Sequence, residues 1–139
     1  MKFNYVVKTK KTIEQATKDI TENLSLIKFG VLGTLDFKDI FKKKGIDFTT
    51  EYKLLEICNP NAAKQALDSD LDIGLLLPCT IAIYEKNGEN LISLAKPTSL
   101  LSIAQNNELE KMGKEIEKKL IEVIEKSRWG HKNFHFIDQ

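Results

Sequence analysis

Cys58 and Cys79 are the only cysteines among 139 residues, and both lie in the stretch "LEICNPNAAKQALDSDLDIGLLLPCT". Cys58 stands directly before Asn59-Pro60, a pair suited to opening a helix. A thiol at a helix N-terminus meets unpaired N–H groups and the positive end of the helix dipole, and both favour thiolate. Asn59 adds an amide at the same place. Cys58, Asn59 and Pro60 could therefore form a nucleophile or an anion pocket without any basic side chain. Cys79 and Thr80 follow a Leu-Leu-Leu-Pro run. The competing reading is that both sulfurs are small apolar fillers, since free cysteine is among the most buried residue types.

If their strands are neighbours, the two thiols can meet. A disulfide between them would close a loop of about 20 residues, worth ~3 kcal/mol in the chain-entropy model. A reducing cytoplasm opposes a permanent bond. His131 and His135, four apart, could complete a tetrahedral Cys₂His₂ set with the thiols. Their spacing is not that of a zinc finger, and no metal site is assigned. The motifs GxxxxGK[ST], GxGxxG after a strand, GxSxG, HExxH and CxxC are all absent, which removes the enzyme classes they mark.

The net charge of +1 supplies no general field for nucleic acid or anionic lipid. The runs "KTKK" and "KKK" read as solvated surface. Residues Met1 to Tyr5 lack the apolar core of a signal peptide. The most apolar stretch, Leu71 to Tyr84, is interrupted by Asp72, Gly74, Pro78 and Thr80 and is too short to span a bilayer. The expectation is a soluble, cytoplasmic protein with no nucleic-acid or membrane partner.

The elements that must position the thiols follow from periodicity. Phe3, Tyr5 and Val7 alternate as a first strand. Thr12 to Gln15 has capping-box form, and Ile13, Ala16, Ile20, Leu24 and Ile27 carry a helix to about Lys28. Gly30 ends the turn, and Val31 to Phe37 reads as a second strand whose Gly30 and Gly33 mark close backbone packing. Asp36 opens a short helix closed by Gly45. Tyr52 to Cys58 is a third strand, apolar on both faces and hence central. A helix from Pro60 presents Ala62, Ala63, Ala66 and Leu67. The next strand starts beside Pro78, turns at Asn87-Gly88, the strongest hairpin signal, and returns through Leu91 to Ala95. Asn107 caps a long last helix with Leu109, Met112, Ile116, Leu120 and Val123 as its buried stripe. Glu110–Lys114, Glu115–Lys119 and Glu122–Lys126 stand in the favourable i,i+4 order.

The segments "FGVLGTLDF", "YKLLEICNPNAAKQAL" and "IGLLLPCTIAIYE", followed by Pro97, resemble the family known as domain of unknown function 302 over roughly residues 3 to 103. The motif positions carried over are Gly30, Asp36, Cys58, Asn59, Pro60, Gly74, Leu77, Pro78, Cys79 and Pro97. Thr34 stands where the family usually has Glu, Thr80 where it has Asn, and Lys96 where Asp precedes the proline. Two acidic groups are thus lost, which weakens any acid–base or metal role built on carboxylates. The resemblance implies a dimeric α+β domain with a curved antiparallel sheet and helices on one face. It implies no established reaction.

The expected fold is α+β, with a curved, mainly antiparallel sheet, helices packed on one face and the order β-α-β-α-β-α-β-β-α. One domain covers residues 1–130, and 131–139 form a tail. The expected function is a homodimeric small-ligand-binding or non-catalytic protein with a pocket at Cys58, Asn59, Pro60, Cys79 and Thr80. The alternatives are a thiol-dependent redox protein or enzyme using Cys58 and Cys79, and a Cys/His metal site.

Overall fold

The computed structural model describes residues 2–77 and 79–130. His131 and His135, and with them the expected tail and the Cys/His metal alternative, lie outside the described residues. The strands are β1 (Asn4–Thr9), β2 (Gly30–Asp36), β3 (Tyr52–Cys58), β4 (Cys79–Lys86) and β5 (Glu89–Ala95). The helices are α1 (Ile13–Leu26), α2 (Phe37–Lys43), α3 (Pro60–Ser69), α4 (Pro97–Leu101) and α5 (Asn107–Arg128). A six-residue 3₁₀ segment, Leu71–Leu76, joins α3 to the approach of β4.

The sheet order is β1-β5-β4-β3-β2 with every neighbouring pair antiparallel. The expected α+β class and antiparallel sheet are therefore present. Strand side chains alternate between faces. Val7, Leu55, Ile57, Ile81, Ile83, Ile92 and Leu94 point one way and are buried. Against them pack Ala16, Ile20 and Leu24 of α1 and Leu120, Val123 and Ile124 of α5, which complete the main core. Ser127 ties these two helices: its hydroxyl donates to the Val123 carbonyl at 2.7 Å and accepts from Asn23 Nδ2 at 3.0 Å. A smaller cluster of Ala66, Ile73, Leu101 and Leu109 lies under α3 and the 3₁₀ segment.

Local chemistry explains most boundaries. Thr12 accepts from Gln15 N at 3.1 Å and starts α1, and Asp36 does the same for α2 through Asp39 N at 3.1 Å. Asn87 and Gly88 adopt φ of 54° and 79°, the positive values a tight hairpin requires. α1 stops at Leu26, slightly before the expected end. Lys28 takes the left-handed conformation there, with φ 63°, and Gly30 belongs to β2 instead of the turn. The cap of α5 is Asn106, not Asn107: Asn106 Oδ1 accepts from Glu108 N and Leu109 N at 3.0 and 3.2 Å.

Close backbone packing at Gly30 is also absent, because a Cβ there would meet nothing within 4 Å. The pairing register slips between Val31 and Gly33, a bulge that leaves Leu32 exposed. α4 was not evident from periodicity. Pro97 at its first position supplies the start, and Glu117 of α5 holds it by accepting from Thr98 N and Thr98 Oγ at 3.1 and 2.6 Å.

Candidate functional site

Antiparallel pairing puts the end of β3 beside the start of β4. Cys79 stands opposite Ile57 in the ladder, and Cys58 follows Ile57 in the chain. Both thiols are free and half-buried. They open onto one cleft between the sheet end and the smaller core cluster, which Asn59 before α3, Ala63 of α3, Leu77, Leu101 and Met112 also line. The space within the cleft is ≈ 30 Å³, about two or three water-sized spheres. Among the described residues, no acidic, basic or histidine side chain lines it.

Asn59 shapes the mouth. Its Oδ1 accepts from Asn61 N at 3.0 Å and Ala62 N at 3.2 Å. Its backbone carbonyl accepts from Ala63 N at 2.9 Å. Pro60 has no N–H to offer. The orphan donors that a helix N-terminus normally presents are thus consumed by one residue. This corrects the expected anion-stabilising site: no unpaired N–H at the start of α3 faces the Cys58 thiol.

The electrostatics agree. Burial pushes the Cys58 thiol above its ordinary range. Burial pushes Cys79 up to about 11, and the neighbouring Cys58 adds to the rise. Both thiols therefore stay protonated at neutral pH, where an attacking cysteine needs thiolate.

Of the five expected site residues, three meet here: Cys58, Asn59 and Cys79. Pro60 is exposed at the first turn of α3 and does not line the cleft. Thr80 points to the opposite sheet face, into a shallow hollow of ≈ 370 Å³ shared with Tyr52, Leu54, Tyr84 and Ser93. The pleat separates Thr80 from Cys79, since adjacent strand residues face opposite ways. Met112 was legible only as part of a helix stripe; its position on the cleft wall depends on how α5 crosses α4. The crossing is close because residue 113 is glycine, where a Cβ would lie 3.2 Å from Leu101 Cδ1 and 3.5 Å from the Pro97 carbonyl oxygen.

On the open sheet face, an aromatic row runs from α2 inward. The ring centroids of Phe37 and Tyr52 are 5.6 Å apart, edge to face, and those of Tyr52 and Tyr84 are 5.3 Å apart, stacked. Elsewhere, a wide depression of ≈ 710 Å³ includes Lys8, Lys11, Arg128 and Trp129. Lys8 is paired with Glu89 at 3.2 Å, Lys11 with Asp19, and Arg128 with Glu125 at 3.3 Å. Among the described residues there is no group of three or more His, Cys, Asp or Glu side chains placed to hold a metal. No helix among them is long and apolar enough to cross a membrane.

An open five-stranded antiparallel sheet with its two long helices on one face makes this an α+β protein. The same fold is seen in the crystal structure of an uncharacterized conserved protein DUF302 from Bacillus stearothermophilus, with a TM-score of 0.88 and 31% sequence identity over 92% of this chain and 100% of that one. The family model "Domain of unknown function DUF302" matches residues 5–127, and the chain belongs to that family. No curated protein matches it.

Proposed function

We propose that this chain is a small-ligand-binding, non-catalytic domain whose ligand enters the cleft beside Cys58, Asn59 and Cys79. The observation that carries this reading is the convergence of two distant motifs on one apolar cleft, with no acid–base pair in its walls among the described residues. A thiol-dependent redox or enzymatic role draws support from the shared cleft, but the upward shift of both thiols weighs against it. Two free thiols suit a reducing, cytoplasmic setting.

The working unit under this reading is a homodimer. A second copy is the partner that suits the open sheet face, where Tyr52, Leu54, Tyr84 and Leu91 are only half-covered and Val6 and Phe3 are exposed. Such a surface is apolar at its centre and polar at Lys8 and Glu89 on its rim, the arrangement of a protein interface.

Blocking the cleft tests the reading. Ala63 is half-buried on the cleft wall, so Ala63→Phe sets a ring across the opening while Cys58 and Cys79 remain. Native mass spectrometry of the wild type should find a retained molecule, and a folded Ala63→Phe protein, checked by circular dichroism and melting, should lose it. Retention of the same molecule by Ala63→Phe would remove the cleft as its site.

A further inference from the structure

We propose that the ligand of this cleft is a single soft monovalent metal ion, Cu(I), held by the sulfurs of Cys58, Cys79 and Met112. The inference rests on the cleft being the binding site and names what occupies it. Three observations lead to it.

The first is size. A space of ≈ 30 Å³ is far below the roughly 300–1,000 Å³ of pockets that enclose organic ligands, yet it suffices for an ion. The second is the donor set. Two thiols and one thioether line the cleft, and soft sulfur ligands select Cu(I). Zinc asks for four nitrogen, sulfur or carboxylate donors in a tetrahedron. Among the described residues its walls hold neither histidine nor carboxylate, and the Asn59 amide oxygen at its mouth is already engaged by Asn61 N and Ala62 N.

The third is the surroundings. Ile57, Leu77, Ala63 and Leu101 flank the site with hydrocarbon. Such a shell limits water access, and so governs which oxidation state a bound metal keeps. Three different elements provide the sulfurs: the end of β3, the start of β4 and the first half of α5. No two of them are near in sequence, so the site exists only in the folded chain.

Binding is a proton exchange without change of oxidation state. Each cysteine S–H bond breaks, its proton passes to buffer, and the sulfur lone pair forms a bond to copper; Met112 coordinates without losing a proton. At neutral pH, below the ordinary thiol range of about 8.5, two protons are released per Cu(I), one for each S–H bond broken.

The test is an anaerobic competition of the full chain for Cu(I) against a colorimetric Cu(I) chelator. Protons are counted by an indicator dye in weak buffer. The expected result is one Cu(I) per chain and two protons released. Cys58→Ser and Cys79→Ser should each weaken binding more than about 100-fold, and Met112→Leu about tenfold or more, at or beyond what losing an outer ligand partner costs. All three variants should keep the wild-type circular dichroism spectrum. Wild-type affinity in any of them, or Zn(II) binding as tight as Cu(I), overturns the proposal. If Cys58→Ser and Cys79→Ser keep the retained molecule and only Ala63→Phe loses it, the cleft stands as the site and the metal falls.

Discussion

Cys58 closes β3 at the same end of the sheet where Cys79 opens β4, so two thiols separated by a helix and a 3₁₀ segment share one wall. The proximity follows from the antiparallel β3–β4 ladder, whose last recorded pair is Ile57 with Cys79. Everything argued about the site depends on that juncture.

The thiols should titrate late. With its folded value raised to about 11 by burial first and Cys58 second, Cys79 should resist iodoacetamide at pH 8. It should gain reactivity only toward pH 11, while the unfolded chain alkylates near pH 9. Cys58 should be shifted in the same direction. The folded state binds these protons more tightly than the unfolded state. Their contribution to stability is therefore complete below pH 9 and is lost as pH rises from there through the folded values. Urea melts at pH 8 and pH 10.5 should show the loss, and a Cys79→Ala chain should show less of it.

Asn59→Ala should destabilise the start of α3. The substitution removes the Oδ1 acceptor for Asn61 N and Ala62 N, a change that costs about 1 kcal/mol at a helix cap. Hydrogen exchange should speed up at residues 61 and 62 while the amides of β4 and β5 stay protected. Asn59→Asp, which keeps an acceptor oxygen, should restore most of the protection.

The α4–α5 crossing should not tolerate bulk at position 113. A Cβ already reaches 3.2 Å from Leu101 Cδ1, and valine adds two further carbons in a helix interior. Gly113→Val should cost about 1–3 kcal/mol by overpacking, read as a lower urea midpoint. The same shift of α5 should displace Met112 and weaken ligand retention.

The core should separate sharply from the surface. Ile81 is fully buried between the sheet and the long helices, whereas Leu75 is 87% exposed. Ile81→Ala should cost about 2–5 kcal/mol through lost burial and a residual cavity. Leu75→Ala should stay within about 0.5 kcal/mol. Equal effects in denaturant melts would contradict the placement of the core.

Much of the fold was legible where the signal is local. Thr12, Asp36, Asn59-Pro60 and Asn87-Gly88 act within a turn of chain, and each starts or turns an element as its chemistry requires. Strand order was not legible. β5 lies between β1 and β4 because Val7, Ile92 and Ile83 must bury together, and no residue of β5 encodes that alone. Cys58, Asn59 and Cys79 could be placed near one another from motif and strand adjacency. Thr80 was misplaced because sequence neighbours in a strand face opposite ways. Met112 was legible as part of the α5 stripe but not as a cleft residue, because a buried stripe looks the same whether it faces a core or a cleft. The helix N-terminus misled for another reason: Asn59 uses both its side chain and its carbonyl on α3, so the donors suggested by residue types are already spent.

The most direct measurement uses the methionine methyl groups. The chain has two methionines, Met1 and Met112, so a ¹³C-methyl-methionine spectrum carries one reporter on the cleft wall and one internal comparison. Spectra are taken of the protein as purified and of the same protein after unfolding, dialysis and refolding. A ligand in the cleft predicts a Met112 signal that differs between the two, with the difference absent in Ala63→Phe. Superimposable Met112 signals in the wild-type protein would contradict a ligand bound beside Cys58 and Cys79.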